Sequence, residues 1–412
     1  MPTSDSSSSI AAAAPPLGSA RQRQWLLALS LLLIACNLRP VFGSLSVVLP
    51  EIMRDTGLSA AGASLLTTLP LLFLGLFSAP TPWLSRRFGA ERVLLLALAL
   101  IGIGTLLRAT GSLPWLFVSA VLAGAGIAMG NVLLPSLVKR HFAAHAALMT
   151  GMYVLAICIG STVATAATVP LSIHWFDGSW AYALALWALP ALLVLALWLP
   201  QALRMRSEAI DPAARAGSLW RDPLAWQVTA FMGLQSSLAY IVIGWLAPIL
   251  RERGLDSVMA GYVAAISTLA QLVCSLVVPS IAARCRDQRA LAVGLAALGF
   301  GALMGLMLAP LSTVWLWTVM LGCAQGGLFA LALSMIAMRS GNAQVTAQLS
   351  AMAQGWGYVL AACGPLLTGL LHQWTGSFSS SIWLILLLSV ALAWSGWGAG
   401  RNLLVRPALR AP

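Results

Sequence analysis

Long apolar runs dominate the chain, broken every twenty to thirty residues by short clusters of Arg, Asp, Gly, Pro and Ser. A helix needs roughly 20 mostly apolar residues to cross a bilayer, and twelve stretches reach that length. They begin near Trp25, Ala60, Val93, Leu113, Leu148 and Ser179, then near Leu224, Ser257, Ala290, Leu311, Ala347 and Phe378. Each is expected to run for about 18 to 27 residues, as tilted spans do. The runs are too long for strands and show no alternation, which excludes a β-barrel. The pattern predicts an all-α membrane protein of twelve transmembrane helices. Gly and Pro fall largely inside the spans, where neighbouring helices re-satisfy the freed backbone groups.

Residues 1–20 break this pattern. They are rich in Ser, Ala and Pro with one charge, Asp5, and read as a disordered cytoplasmic tail. A cleaved signal peptide is the rival reading. The apolar run after Arg21 and Arg23 is longer than an h-region should be, so the segment is expected to be retained.

Composition sharpens the picture. Sixty per cent of the chain is apolar and 8% charged, against about 25% charged in a soluble domain. Too few charges remain for a water-facing surface. The net charge of +12 suggests nucleic acid until the cations are placed. With both termini in the cytoplasm, eighteen of the Lys and Arg residues fall in cytoplasmic segments. Only Arg54, Arg108, Arg251 and Arg253 face the other side, and Arg39 lies inside a span. That is the positive-inside bias of a multi-pass protein, and it removes nucleic acid as a partner.

The chain also repeats. Tyr153-Val154-Leu155-Ala156-Ile157-Cys158 in the fifth span recurs as Tyr358-Val359-Leu360-Ala361-Ala362-Cys363 in the eleventh. The exit from the first span, Pro50 through Gly57-Leu58-Ser59, resembles Pro248 through Gly254-Leu255-Asp256 after the seventh, and Arg86 to Arg92 matches Arg284 to Arg289. All three offsets are near 200 residues. They imply two pseudo-symmetric six-helix bundles, over residues 21–200 and 223–400, related by an axis along the membrane normal. A polar linker, 201–222, joins them and a short cytoplasmic tail, 401–412, follows. Two like halves place a cavity between them at mid-bilayer, and rocking would expose it to each side in turn. A small-solute transporter, expected as a monomer, is the default product.

The polar residues within the spans carry the chemistry. All eleven carboxylates fall in tails, loops or span ends, so no acidic proton relay is expected. His141 and His145 belong to a cytoplasmic loop, His174 and His372 to the opposite surface. The six Cys show no CxxC spacing and no His cluster, so neither a disulfide framework, a metal site nor a cofactor is expected. One charge is deep. Arg39 stands about 21 Å along a helix from Trp25 at 1.5 Å per residue, and Pro40 breaks the helical bonding beside it. Burying a guanidinium costs at least ~2.5 kcal/mol. It points to a site for a small anionic or strongly dipolar solute, held by the planar fork. The alternative is a structural Arg tied to helix-end carbonyls or a loop carboxylate.

Uncharged polar residues accompany it: Asn37 beside Arg39, Gln235, Ser236 and Tyr240 in span seven, Ser267, Gln271 and Ser275 in span eight. Ser350, Gln354 and Tyr358 form a stripe in span eleven, with Asn131 in span four and Gln325 in span ten. Each can be interhelical glue. Since the stripes lie in both halves, some should line the cavity, and the candidate binding set is Arg39, Asn37, Asn131, Tyr153, Gln235, Ser236, Tyr240, Gln271, Gln354 and Tyr358. The glycines Gly124, Gly126, Gly130, Gly322, Gly326 and Gly327 suit close helix packing rather than a phosphate cradle.

Two six-helix halves resemble the major facilitator superfamily. Asn37-Leu38-Arg39-Pro40, with Trp226-Gln227-Val228-Thr229 through Gly233-Leu234-Gln235-Ser236, is similar to its cyanate and nitroimidazole permease branch. The resemblance implies a proton-linked or facilitative permease of the bacterial inner membrane, carrying a cyanate-like anion or a small nitrogen compound. It also implies a gating loop after the second span, with Arg86, Arg87, Gly89 and Arg92. Here the chain departs: Ser85-Arg86-Arg87-Phe88-Gly89 places Arg86 where the superfamily usually carries Asp. A drug or metabolite exporter of the same fold is the alternative. An enzyme would need clustered intramembrane acids or His, and a receptor a soluble module. Any proton coupling is expected through the substrate's own protonation or a rim His.

Overall fold

With no water in the bilayer core to bond their backbone groups, apolar segments of this length satisfy them internally as helices. A computed structural model describes residues 17–142, 146–204, 219–341 and 343–406. Eleven of its helical segments are long and apolar enough to cross a membrane. The twelfth span, Ala343–Thr375, has the length but is diluted by its polar stripe. The described structure is therefore an all-α protein with twelve membrane helices.

The first span is broken into Leu17–Cys36, Pro40–Val47 and Leu49–Thr56. Ala60–Ser78, Ala90–Leu106, Leu113–His141 and Ala146–Trp175 form spans two to five. The sixth is divided into Trp180–Ala185 and Ala188–Arg204. Pro223–Glu252, Ser257–Arg284, Arg289–Leu308, Val314–Met338, Ala343–Thr375 and Ser381–Ala399 complete the second half. Several spans run longer than the expected 27 residues because they extend beyond their apolar windows. The first helix starts at Leu17, within the segment expected to be tail. Residues 1–16 of that tail and 205–218 of the linker lie outside the described residues, as do 407–412. The last described residues are anchored, since Val405 N–H donates to the Arg339 carbonyl at 2.9 Å and Arg406 N–H to Asp222 Oδ2 at 2.5 Å.

Acids at span ends have local duties. Asp222 accepts from Leu224 N–H at 2.7 Å and caps the seventh span. Asp256 accepts from Val258 and Met259 N–H at 2.9 and 3.0 Å and caps the eighth. Such caps contribute about 1 kcal/mol each. Asp55 receives the Trp180 indole N–H at 3.0 Å and the Arg54 Nε–H at 2.9 Å. Exposed Trp175, Trp374, Trp383 and Trp394 sit near span ends, as interface anchors do.

The two halves meet chiefly where the first span lies on the seventh, the second on the eleventh, and the fifth on the eighth. At the end bearing the first-to-second and seventh-to-eighth turns, they are closed. Leu49 and Ala63 pack with Trp245, Ile249 and Phe378 from the other half. Arg251 pairs with Glu51 at 2.8 Å, and Ser64 donates to the Pro365 carbonyl at 2.9 Å. Ala61 N–H donates to Gln373 Oε1 at 2.8 Å.

Arg108 is a correction to the sequence reading, which placed it on an outer loop. It lies at the end of the third span and is 1% exposed. Its Nε donates to Ser119 Oγ at 2.9 Å and its Nη1 to the Val41 carbonyl at 3.2 Å. Arg39 is thus not the one buried arginine, and Arg108 fills the carbonyl-tying role considered for Arg39. Arg108→Met should leave Ser119 and that carbonyl underbonded. The expected loss is about 1–3 kcal/mol, seen as an earlier unfolding midpoint in detergent, with uptake per folded molecule largely kept.

Candidate functional site

The site begins at the break in the first span. Pro40 has no N–H, so the Cys36 carbonyl loses its helical donor. The chain tightens there, with Asn37 N–H donating to Ile34 O at 3.0 Å and Leu38 N–H to Ala35 O at 3.1 Å. The turn directs Arg39 away from its own helix. The fifth span crosses the break closely, and Gly160 lies against the Cys36 backbone with no room for a side chain. Cys36 Sγ donates to the Ala156 carbonyl at 3.1 Å.

Arg39 faces a cavity of about 200 Å³ between the halves. Its Nη1 donates to the Tyr240 hydroxyl across the interface at 3.1 Å, and its guanidinium carbon is 5.5 Å from that ring's centre. A guanidinium has five N–H donors. Among the described residues, the Tyr240 hydroxyl is the one hydrogen-bond acceptor found for them, and no Asp or Glu lines the cavity. Tyr240 packs against Phe42 with centroids 5.5 Å apart and edge-on to Tyr358 at 6.5 Å.

Nine of the ten candidate binding residues line this cavity: Arg39, Asn131, Tyr153, Gln235, Ser236, Tyr240, Gln271, Gln354 and Tyr358. The tenth, Asn37, does not. Its amide donates back to the Leu33 carbonyl at 2.8 Å, so Asn37 serves the helix break rather than the cavity wall. Gln235 donates to Ser236 Oγ at 2.7 Å, and Gln354 to Ser350 Oγ at 2.8 Å. Tyr153 and Tyr358, partners in the internal repeat, meet at the same cavity from opposite halves.

The proposed gating loop is elsewhere. Arg87 stacks over Trp83 and Phe88, at 5.5 Å from each ring centre. Gly89 takes φ +91, a left-handed value that favours glycine, where the short helix Thr81–Phe88 turns into the third span. Arg92 is exposed, and the Arg86 side chain lies outside the described residues. The ion pair near this loop is instead that of buried Glu91 with exposed Arg140, at 3.3 Å. In the second half, Arg339 has neutral acceptors in place of an acid: it donates to Gln288 Oε1 and to the Ala399 carbonyl at 2.8 Å.

Sequence reasoning left Gln325 outside the binding set, along with Ser161 and Thr268. Ser and Thr in mid-helix read as helix glue, and no pattern in one strip of sequence says which face meets the other half.

Residues 28–317 match the description Major Facilitator Superfamily. The chain belongs to the major facilitator superfamily. Within it, the chain is 38% identical to the 2-nitroimidazole transporter of Escherichia coli strain K12, covering 91% of this chain and 95% of the relative. It is 30% identical to the cyanate transport protein CynX of the same strain, over 85% and 91%. The crystal structure of a D-xylose–proton symporter superposes with a TM-score of 0.71 at 17% identity, covering 92% of this chain and 97% of that one. The last likeness shows the shared fold. This superfamily member is a multi-span membrane transporter, not an enzyme by family, with a small molecule as its cargo.

Proposed function

We propose that the chain carries a small anionic or strongly dipolar solute, a cyanate-like anion or a small nitrogen compound, across a bacterial inner membrane by alternating access. Arg39 is its charge-binding group. The observation that carries this is the Arg39 guanidinium facing a cavity between the halves, hydrogen-bonded to Tyr240 and with no acid among the lining residues. Transporters of 2-nitroimidazole and cyanate among its relatives support that chemistry. Initial uptake into proteoliposomes by wild type and Arg39→Ala tests it. An exporter of lipophilic cations would want an acid opposite its cargo, and the lining offers none.

Both termini lie in the cytoplasm on this reading, supported by the cation asymmetry. The closed end then faces outward. Lining residues continue from Arg39 toward the linker end through Tyr153, Gln354 and exposed Pro135, which supports an inward-facing conformation. Any coupled proton travels on the substrate or through a rim group such as His372, whose Nε2 is 3.3 Å from Glu252.

Rocking must separate Glu51 from Arg251. The pair is partly exposed, so its contribution is about 1 kcal/mol or less. Glu51→Gln should raise the outward-open population a few-fold. Spin labels at Arg54→Cys and Trp374→Cys in a cysteine-free background would show a larger long-distance component. An unchanged distance distribution would count against Glu51 as a latch.

A further inference from the structure

Resting on the reading of Arg39 as an anion-binding group, we propose a narrower cargo: a planar one-ring monoanion bearing a second hydrogen-bond acceptor away from its charge. Three observations converge on it. The first is size. The cavity, open toward the linker end, offers about 200 Å³, whereas an apolar cavity of about 150 Å³ already admits benzene. A triatomic anion would leave most of the space to water. A single ring with one or two small substituents is accommodated by it.

The second is the wall. Tyr153, Tyr240, Tyr358 and Phe329 bring four aromatic rings to one cavity, with Leu134 and Ile157 beside them. Apolar walls reward apolar surface, and ring systems meet best face-offset or edge-on. An inorganic anion presents no such surface. Arg39 then holds the charged end while the ring occupies the aromatic part.

The third is an unused donor. Gln325, 5% exposed, lines the cavity from the tenth span. Gln271 Nε2 donates to its Oε1 at 3.2 Å, which fixes the amide. Its own Nε2 is then buried with no hydrogen-bond partner. Buried donors in this state are destabilising until an acceptor arrives. Arg39 belongs to the first half and Gln325 to the second, so a cargo bonded at both ends bridges the two bodies that must move.

Binding to the purified full-length protein, measured by isothermal titration, tests this with benzoate, the three pyridine carboxylates, cyclohexanecarboxylate and cyanate. Benzoate should bind at least tenfold more tightly than cyanate and several-fold more tightly than cyclohexanecarboxylate. One pyridine carboxylate, an isostere of benzoate with an acceptor in the ring, should exceed benzoate about fivefold. In Gln325→Leu, or Gln325→Met if the first folds poorly, that ratio should fall to near one. Cyanate binding as tightly as the ring acids, with both lost in Arg39→Ala, would overturn the ring assignment and leave the anion site standing. Ring acids bound equally well by Arg39→Ala would overturn the anion site, and this proposal with it. A pyridine advantage that survives both Gln325 variants would remove Gln325 from the site.

Discussion

Arg39→Ala should lower anion uptake in proteoliposomes about 100-fold, while Arg39→Lys should retain roughly a tenth of wild-type activity. Hydrogen bonds to charged groups contribute ~1.5–3 kcal/mol, and each 1.4 kcal/mol is about tenfold in affinity. The loss of two such bonds to a bound anion therefore reaches two orders of magnitude even after water has partly compensated. Lysine keeps the charge but loses the planar fork, and its ammonium would have to replace the Nη1 contact to Tyr240, now 3.1 Å. Tyr240→Phe should cost less, about five- to tenfold. It removes an acceptor from Arg39 and a hydroxyl from the cavity but leaves the ring against Phe42. Initial rates normalised to protein in folded, monodisperse samples check the series. Arg39→Ala within threefold of wild type would end Arg39's assignment as the binding group, while the helical architecture would stand regardless.

The sequence makes some of this legible and hides the rest for physical reasons. Span number, the repeat and Arg39 are legible because hydrocarbon filters composition so harshly: a lone cation amid apolar residues has few explanations. The polar stripes in spans seven, eight and eleven are legible for the same reason. Arg108 is not. It stands close enough to a turn to be placed at the surface, and its solvent is replaced by two groups on other helices, Ser119 Oγ and the Val41 carbonyl. Asn37 deceives in the opposite sense, since adjacency to Arg39 says nothing of direction, and its amide turns back to Leu33. Gln325 was visible as polar but not as a wall residue. Its place depends on how the eighth and tenth spans cross, and that crossing depends on glycines. A side chain at Gly322 would strike the Ser267 carbonyl, and one at Gly326 that of Gln271. Close packing of this kind is written in small residues whose partners only the fold reveals.

Gly160 offers the sharpest test of that packing. A Cβ there would lie 2.8 Å from the Cys36 carbonyl carbon and 3.1 Å from its Cα, with the carbonyl oxygen closer still. These are backbone atoms, so no rotamer change relieves the overlap. The fifth span must withdraw or the broken first span must shift. Overpacking of this sort costs about 1–3 kcal/mol and occasionally more, and here the upper end is expected because the obstructed atoms belong to the turn that aims Arg39. Gly160→Ala should therefore unfold at a distinctly lower temperature in detergent and also bind anions more weakly in its folded fraction. Gly294→Ala is the control. It lies in the ninth span with no heavy atom within 4 Å of the added carbon, so its unfolding midpoint should stay within a degree or two of wild type. If Gly160→Ala and Gly294→Ala unfold together, the close crossing at Cys36 does not hold the break in place. If Gly160→Ala is destabilised yet binds normally, the break is structural and Arg39 is aimed by something other than the turn at Pro40.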